Sequence, residues 1–342
     1  TSMATWCWFN PMARCHLVDA CFDAAPARLP VWSDGRLGLD PEELAHIEAT
    51  AVGIARAAGA RALEAFKAIQ ALEFKGPKQD DPVTATDREL ETFLRTELRS
   101  HFPDHGLLGE EHEDDIAPDA AFVWALDPLD GTANFASRLP LWGVSLGMLH
   151  YGRPAVACIW VPVGPSLQPG VYHARLGGGA WFEQQRLSVA QGEDERGRVV
   201  ALPSRYWRAF RFRSPPRGTP ASQRSLADPR SLGSIAFELT LVAAGSLRLA
   251  VFVRPRIWDV AAGALLVQEA GGTALTWRGR AWQQLTCYDP ARPEKGPGEP
   301  VLRNWSQPLM VGAPRVVERA AARLAWHPRP PRLVRHLLRL WR

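Results

Sequence analysis

Apolar positions recur at helical spacing from residue 40 onward. In "DPEELAHIEATAVGIARAAGARALEAF" the residues Leu44, Ile47, Ala51, Ile54, Ala58, Ala62 and Phe66 line one stripe. Asp40 can cap this helix, Pro41 suits its first position, and Glu42 and Glu43 favour its positive end. A polar loop, "KGPKQDDP", precedes a second helical pattern in "VTATDRELETFLRTELRSHFP", with Thr86 or Asp87 as cap and Pro103 as stop. The period then changes. "AAFVWALDPLDGT" predicts a buried strand and a turn, "LWGVSLGMLHYGRPAVACIWVPV" two antiparallel strands joined at "YGRP", and "HARLGGGAWFEQQRLSV" another hairpin. Beyond a polar stretch near 190–197, "RVVALPS" is a short strand and "SPPRGTPASQRS" a connector. "SLGSIAFELTLVAAGSLRLAVFV" is a small-residue helix running into a strand. "IWDVAAGALLVQEAGGTAL" is a helix stopped at Gly271-Gly272, then a strand. Alternating strands and helices indicate an α/β class. The expected organisation is an extension over 1–38, an α+β half over 39–195, an α/β half over 196–327, and a tail over 328–342.

Composition narrows the function classes. The 342 residues are 46% hydrophobic and 22% charged, ordinary for a globular protein, and the small net charge of +4 argues, though only weakly, against a dedicated binder of nucleic acid polymers, which usually carries a concentrated basic face. Cys7, Cys15, Cys21, Cys158 and Cys287 match no common zinc spacing and read as free thiols. No run is long and apolar enough for a membrane span, so a cytoplasmic location is the default expectation. Leu333, Val334, Leu337, Leu338 and Trp341 could line one face of a basic terminal helix, which either packs on its own domain or touches an anionic membrane surface.

Three acidic stretches carry the candidate chemistry. In "DPLDGT", Asp127 and Asp130 end an apolar strand, where α/β folds place ligands, and Gly131 permits an unusual backbone angle. N–H groups of Gly131, Thr132 and Ala133 at a helix start could meet a phosphate. Carboxylates beside a phosphate are electrostatically sensible with a hard cation between them, and oxygen ligands suit Mg²⁺. Read alone, the two aspartates could equally cap the turn. An aspartyl-nucleophile phosphatase would place its pair two apart, whereas these stand three apart around Pro128. "LLGEE" adds Glu110 and Glu111 at another strand-to-loop junction, and "WDVAAG" adds Asp259 at a helix start. Singly, Glu110 reads as solvated and Asp259 as an N-cap.

Together, "GEE", "WALDPLDGTANF" and "WDVAAGALLVQEAGG" resemble the inositol monophosphatase family of lithium-sensitive, Mg²⁺-dependent phosphatases. "DPVTATD" looks like its threonine-aspartate segment, and "GGGAWFEQQRLSV" like its central hairpin. The resemblance covers roughly residues 42–320. It implies a layered αβαβα sandwich of the sugar-phosphatase type, a homodimer, and two or three Mg²⁺ ions. It implies one ion on Glu110, Asp127 and the Leu129 carbonyl, and a second on Asp127, Asp130 and Asp259. Asp87, Thr132 and Glu110 would orient and activate the attacking water. Substrate contacts are implied at Asp130, Gly131, Thr132, Gly233, Ser234 and Asp259. The acidic residue that inositol-specific members carry seven positions before the aspartate of "WD" is Phe252 here, with Arg254 and Arg256 nearby. The expected activity is hydrolysis of a small phosphorylated metabolite: inositol monophosphate or a related polyol phosphate. A 3′-phosphoadenosine nucleotide, a fructose bisphosphate and histidinol phosphate are the alternatives. The rival of another class is a catalytically silent metal- or phosphate-binding interaction protein.

Overall fold

A computed structural model of the chain describes residues 39–71, 82–117, 120–165, 167–190, 199–202, 210–212, 228–288 and 302–326. The readings made for 1–38, for the polar loop near 75–81, for the connector at 214–225 and for the tail at 328–342 lie outside the described residues.

Helix α1 (Pro41–Ala71) opens on Pro41, Glu42 and Glu43. Its seven predicted stripe residues are all buried. Helix α2 (Pro82–His101) starts earlier than the sequence suggested. A proline costs nothing in a first turn, where its missing N–H has no helical partner. Thr86 and Asp87 therefore lie inside the helix and neither is its cap. Asp87 instead shares a buried stripe with Leu90, Glu91, Leu94 and Leu98.

Seven strands form the first sheet in chain order: β1 (Gly106–Gly109), β2 (Phe122–Asp130), β3 (Gly143–His150), β4 (Arg153–Val161), β5 (Gly170–Arg175), β6 (Gly179–Phe182) and β7 (Gln185–Arg186). β1 and β2 are parallel, and each later pair is antiparallel. The expected "YGRP" hairpin is the β3–β4 connection, with Tyr151 and Gly152 both at positive φ, as a tight twisted turn requires. Both sheet faces are covered, so β2 to β4 are nearly continuous apolar runs. Period-two alternation still sorts them: on β4, Ala157, Ile159 and Val161 join the central core, while Val156, Cys158 and Trp160 are buried on the opposite face.

The second sheet contains β8 (Val199–Ala201), β10 (Asp228–Arg230), β11 (Leu249–Phe252), β12 (Thr273–Arg278), β13 (Ala281–Gln284) and β14 (Leu309–Gly312), in the order β10-β8-β11-β14-β12-β13. A short pair joins β9 (Phe210–Phe212) to β15 (Leu324–Trp326). Between the sheets lie α4 (Ile235–Ala243) and α5 (Ile257–Glu269), following the short α3 (Thr132–Ala136) in chain order. A Cβ on Gly147 of β3 would lie 2.6 Å from the Ala262 nitrogen, so the absence of a side chain lets α5 settle on the first sheet. The stop of α5 is as read: Gly271 N–H donates to Gln268 O and Gly272 N–H to Val267 O, the paired bonds of a Schellman motif. Beyond the second sheet, Val316, Val317 and Ala320 of α6 (Pro314–Arg323) pack on Val251, Leu275 and Met310. The layers are thus α1/α2, sheet, α4/α5, sheet, α6: an αβαβα sandwich. Cys158 and Cys287 are buried free thiols. Among the described residues no helix is long and apolar enough to cross a membrane.

Candidate active site

β2 does not turn after Asp127 but continues to Asp130, with a register shift between them. Asp127 pairs with Ser145 and Asp130 with Gly143, so three steps on β2 match two on β3. This one-residue bulge has a chemical consequence. Side chains three apart on a regular strand point to opposite faces, and one extra residue returns them to the same side. Pro128 lies in the bulge, where its missing N–H breaks no ladder bond. Asp127 is 2% exposed, and its Oδ1 accepts from Leu129 N–H at 3.0 Å.

The chain then reverses at Gly131, whose φ of 93° caps α3. That backbone is strained for any other residue, and a Cβ there would also press on Ser234 and on the Leu141 carbonyl. The helix it opens has only five residues, so the turn offers oriented N–H groups rather than a macrodipole. Thr132 is exposed, and its hydroxyl donates to Leu129 O at 3.3 Å.

Other elements bring the remaining carboxylates to this point. Glu110 directly follows β1, the neighbour of β2. Asp259 lies in the first turn of α5 and accepts from Arg256 N–H at 2.7 Å. Asp87 is buried on α2, near enough for its charge to act on Asp127. Asp130 accepts from Ser234 Oγ (2.6 Å) and from Ala236 N–H at the start of α4. Ser234 is buried and also caps α4, so its hydroxyl serves Asp130 and the helix. Gly233 is exposed beside it, with a φ of 85°.

Crowding these groups costs energy. Burial pushes Asp127 well above the usual carboxylate range, and Asp130, Glu110, Asp259 and Asp87 each push it further. Burial and Asp130 raise Asp259 to about 8. Partial desolvation, then Glu111, Asp130 and Glu91, raise Glu110, with Arg256 pulling the other way. Burial raises Asp130 too, moderated by its hydrogen bonds to the start of α4. Such repulsion is what a bound cation relieves. The donors are hard oxygens, so the set fits a hard divalent cation. Among the described residues, no three His, Cys, Asp or Glu side chains stand in an arrangement that could hold a metal ion without some movement. In this geometry Leu129 N–H, Ser234 Oγ, Ala236 N–H and Arg256 N–H occupy oxygens of the three aspartates.

Several supporting residues escaped the sequence reading. Glu91, fully buried, holds the backbone beyond Glu110. Its signal was a charged residue one turn after Asp87 on an apolar stripe. Asn134 Nδ2 donates to Leu141 O and to Leu232 O, both at 2.7 Å, tying two loops at the site rim. Glu238, raised by burial to about 7, accepts from Leu232 N–H. Arg303 had no local signal at all.

Known proteins resemble this chain in sequence and in fold. The chain is 32% identical over 242 residues to the Escherichia coli (strain K12) protein named Nus factor SuhB, covering 69% of this chain and 87% of that one. It is 32% identical over 231 residues to the inositol-1-monophosphatase of Bacillus subtilis, covering 67% and 85%. The crystal structure of extragenic suppressor protein suhB from Bartonella henselae superposes with a TM-score of 0.59 at 25% identity, over 81% of this chain and 99% of that one. The model of the inositol monophosphatase family matches residues 43–321, and the chain belongs to that family of phosphatases.

Proposed function

We propose that the protein is a Mg²⁺-dependent phosphomonoesterase that hydrolyses a small phosphorylated metabolite by direct attack of water. The observation that carries this reading is the gathering of Glu110, Asp127, Asp130 and Asp259, with raised proton affinities, around the Gly131–Thr132 turn. Glu110, Asp127 and the Leu129 carbonyl would hold one Mg²⁺, and Asp127, Asp130 and Asp259 a second, with room in the scheme for a weaker third near Glu110. Bound Mg²⁺ neutralises phosphate charge and makes water more acidic. The N–H groups of Gly131 and Thr132 hold phosphate oxygens, with Gly233 and Ser234 on the substrate side. The Thr132 hydroxyl, Asp87 and Glu110 orient the attacking water and draw off its proton. A new P–O bond forms in line with the bond that breaks, and the leaving alkoxide is protonated. No phosphoenzyme is part of this scheme. Lithium sensitivity, a homodimer and a cytoplasmic location complete the reading.

One feature favours a particular kind of substrate. Phe252 is buried in β11 and presents no polar group, while Arg254 and Arg256, in the segment leading into α5, are exposed. That pairing suits a substrate with a second anionic group better than a neutral polyol ring. The name of the Escherichia coli relative is not that of an enzyme, and it brings a second reading, a silent interaction protein. The full set of carboxylates, kept at an electrostatic cost, favours catalysis. A phosphate-release screen over inositol phosphates, sugar bisphosphates, histidinol phosphate and 3′-phosphoadenosine nucleotides, with and without Mg²⁺, tests both. Turnover should require Mg²⁺, and Asp127→Asn should abolish it with the melting temperature preserved. Near-normal turnover of that variant at saturating Mg²⁺ would sink the assignment.

A further inference from the structure

The loop that carries Glu110 is closed at its base, where Leu107 and Asp115 exchange backbone hydrogen bonds of 2.8 and 2.9 Å. β1 pairs with β2 only as far as Gly109, so the backbone polar groups between there and Asp115 need other partners. Two charged side chains supply them from opposite sides. Glu91 of α2, with a fully buried side chain, accepts from the N–H groups of Glu111 (2.7 Å) and His112 (3.2 Å) and pairs with Arg95 at 2.8 Å. Its carboxylate lies so close that a Cβ on Gly109 would come within 2.0 Å of Oε1. On the other side, Arg303 reaches in from a segment nearly two hundred residues away. Its Nη2 donates to Gly109 O and His112 O, both at 2.8 Å, and its Nε meets both Asp114 oxygens at 2.9 and 3.0 Å. The same guanidinium lies 5.4 Å from the centre of the Trp258 ring, the residue before Asp259.

We infer that Arg303 is a positioning residue that fixes the Glu110 loop against the start of α5, and so sets the distance between the Glu110 and Asp259 carboxylates. The inference rests on the proposed metal-dependent reading of that site. A planar guanidinium can bind two carbonyls, a carboxylate and a ring face at once. An ammonium cannot reproduce that fork, and an apolar side chain leaves two carbonyls and a carboxylate unpaired. Glu110 and Asp259 sit on different elements and share no direct hydrogen bond among those described. Their separation therefore depends on whatever joins those elements, and Arg303 touches both.

The test compares the wild type with Arg303→Met, Arg303→Lys and Asp114→Asn, and with Arg56→Met as a control that cuts a surface ion pair with Glu183. Two readouts are taken: the Mg²⁺ concentration for half-maximal thermal stabilisation, which needs no turnover, and kcat and KM for phosphate release. Arg303→Met should raise the half-saturating Mg²⁺ concentration about tenfold or more, the usual scale for groups that orient ligands. Arg303→Lys should recover little of it, and Asp114→Asn should shift it the same way by less. KM should change less than kcat, because the substrate-side loop is untouched. Arg56→Met should leave the Mg²⁺ response unchanged. If Arg303→Met lowers only the melting temperature and keeps the wild-type Mg²⁺ response, the residue is merely structural and the inference falls. If the wild type itself shows no Mg²⁺ response, the metal-dependent reading falls and this inference with it.

Discussion

Two glycines on α1 should answer the same substitution in opposite directions. In a helix interior, Gly→Ala removes backbone entropy from the unfolded chain and stabilises by about 1 kcal/mol. Gly53 is exposed, and a Cβ there would meet nothing within 4 Å, so Gly53→Ala should show that gain undiminished. Gly59 is buried six residues further on, and its added Cβ would lie 2.0, 2.3 and 2.4 Å from atoms of the Trp160 ring. Those contacts are well inside van der Waals distance. The ring has little room to retreat, because Trp160 is 3% exposed and stands 5.5 Å from the Trp142 ring. Overpacking of a tight core costs roughly 1–3 kcal/mol, and a rigid indole places this case at the upper end. Net of the helical gain, Gly59→Ala should be destabilised by about 2 kcal/mol. At roughly 2–4 °C per kcal/mol for a domain of this class, the melting temperature should fall by about 4–8 °C, against a rise of about 2–4 °C for Gly53→Ala. Thermal melts followed by circular dichroism, with urea unfolding alongside, separate the two. A double-mutant cycle with Trp160→Phe identifies the cause, since the smaller ring should absorb much of the Gly59→Ala penalty. Equal shifts of the same sign for the two alanine variants would refute the claim that α1 is seated on β4 through Gly59.

Two further outcomes are expected. In the proposed scheme the Thr132 hydroxyl acts on the attacking water and its backbone N–H holds phosphate, so Thr132→Ala should lower kcat about tenfold or more while KM moves by less than about threefold; unchanged kcat with a raised KM would make Thr132 a simple binding residue. His105 is stacked between Phe102 and Phe122 and accepts from Trp124 Nε1 at 3.1 Å, and burial lowers its pKa to about 4. The folded state therefore binds this proton less readily than the unfolded chain, so stability should fall as pH drops from about 6.5 towards 4, and His105→Gln should flatten that part of the unfolding free-energy profile. A wild-type slope in the variant would show that the ring is not the source.

Much of the fold and part of the site were legible in the one-dimensional pattern, because neighbours in the chain decide them. The buried stripe of α1, the Tyr151-Gly152 hairpin and the stop at Gly271-Gly272 follow from side-chain period and local backbone preference. "GEE" and "DPLDGT" could be picked out because each sets carboxylates at the end of an apolar run, and "WD" because its aspartate opens an apolar helix. The start of α2 was misplaced for an equally local reason: two good capping residues outweighed a proline that can open a helix. What the sequence could not show depends on contacts between distant segments. The bulge that turns Asp127 and Asp130 to one side exists only in the register of β2 against β3. The bond between Ser234 and Asp130 spans 104 residues, and the clasp of Arg303 on Gly109 spans 194. Charge repulsion among five carboxylates likewise arises only once strands and helices bring them together. Residue types and spacing determined which groups were available for chemistry. The tertiary structure decided which of them meet, because proximity between remote residues is set by packing and hydrogen-bond register rather than by local preference.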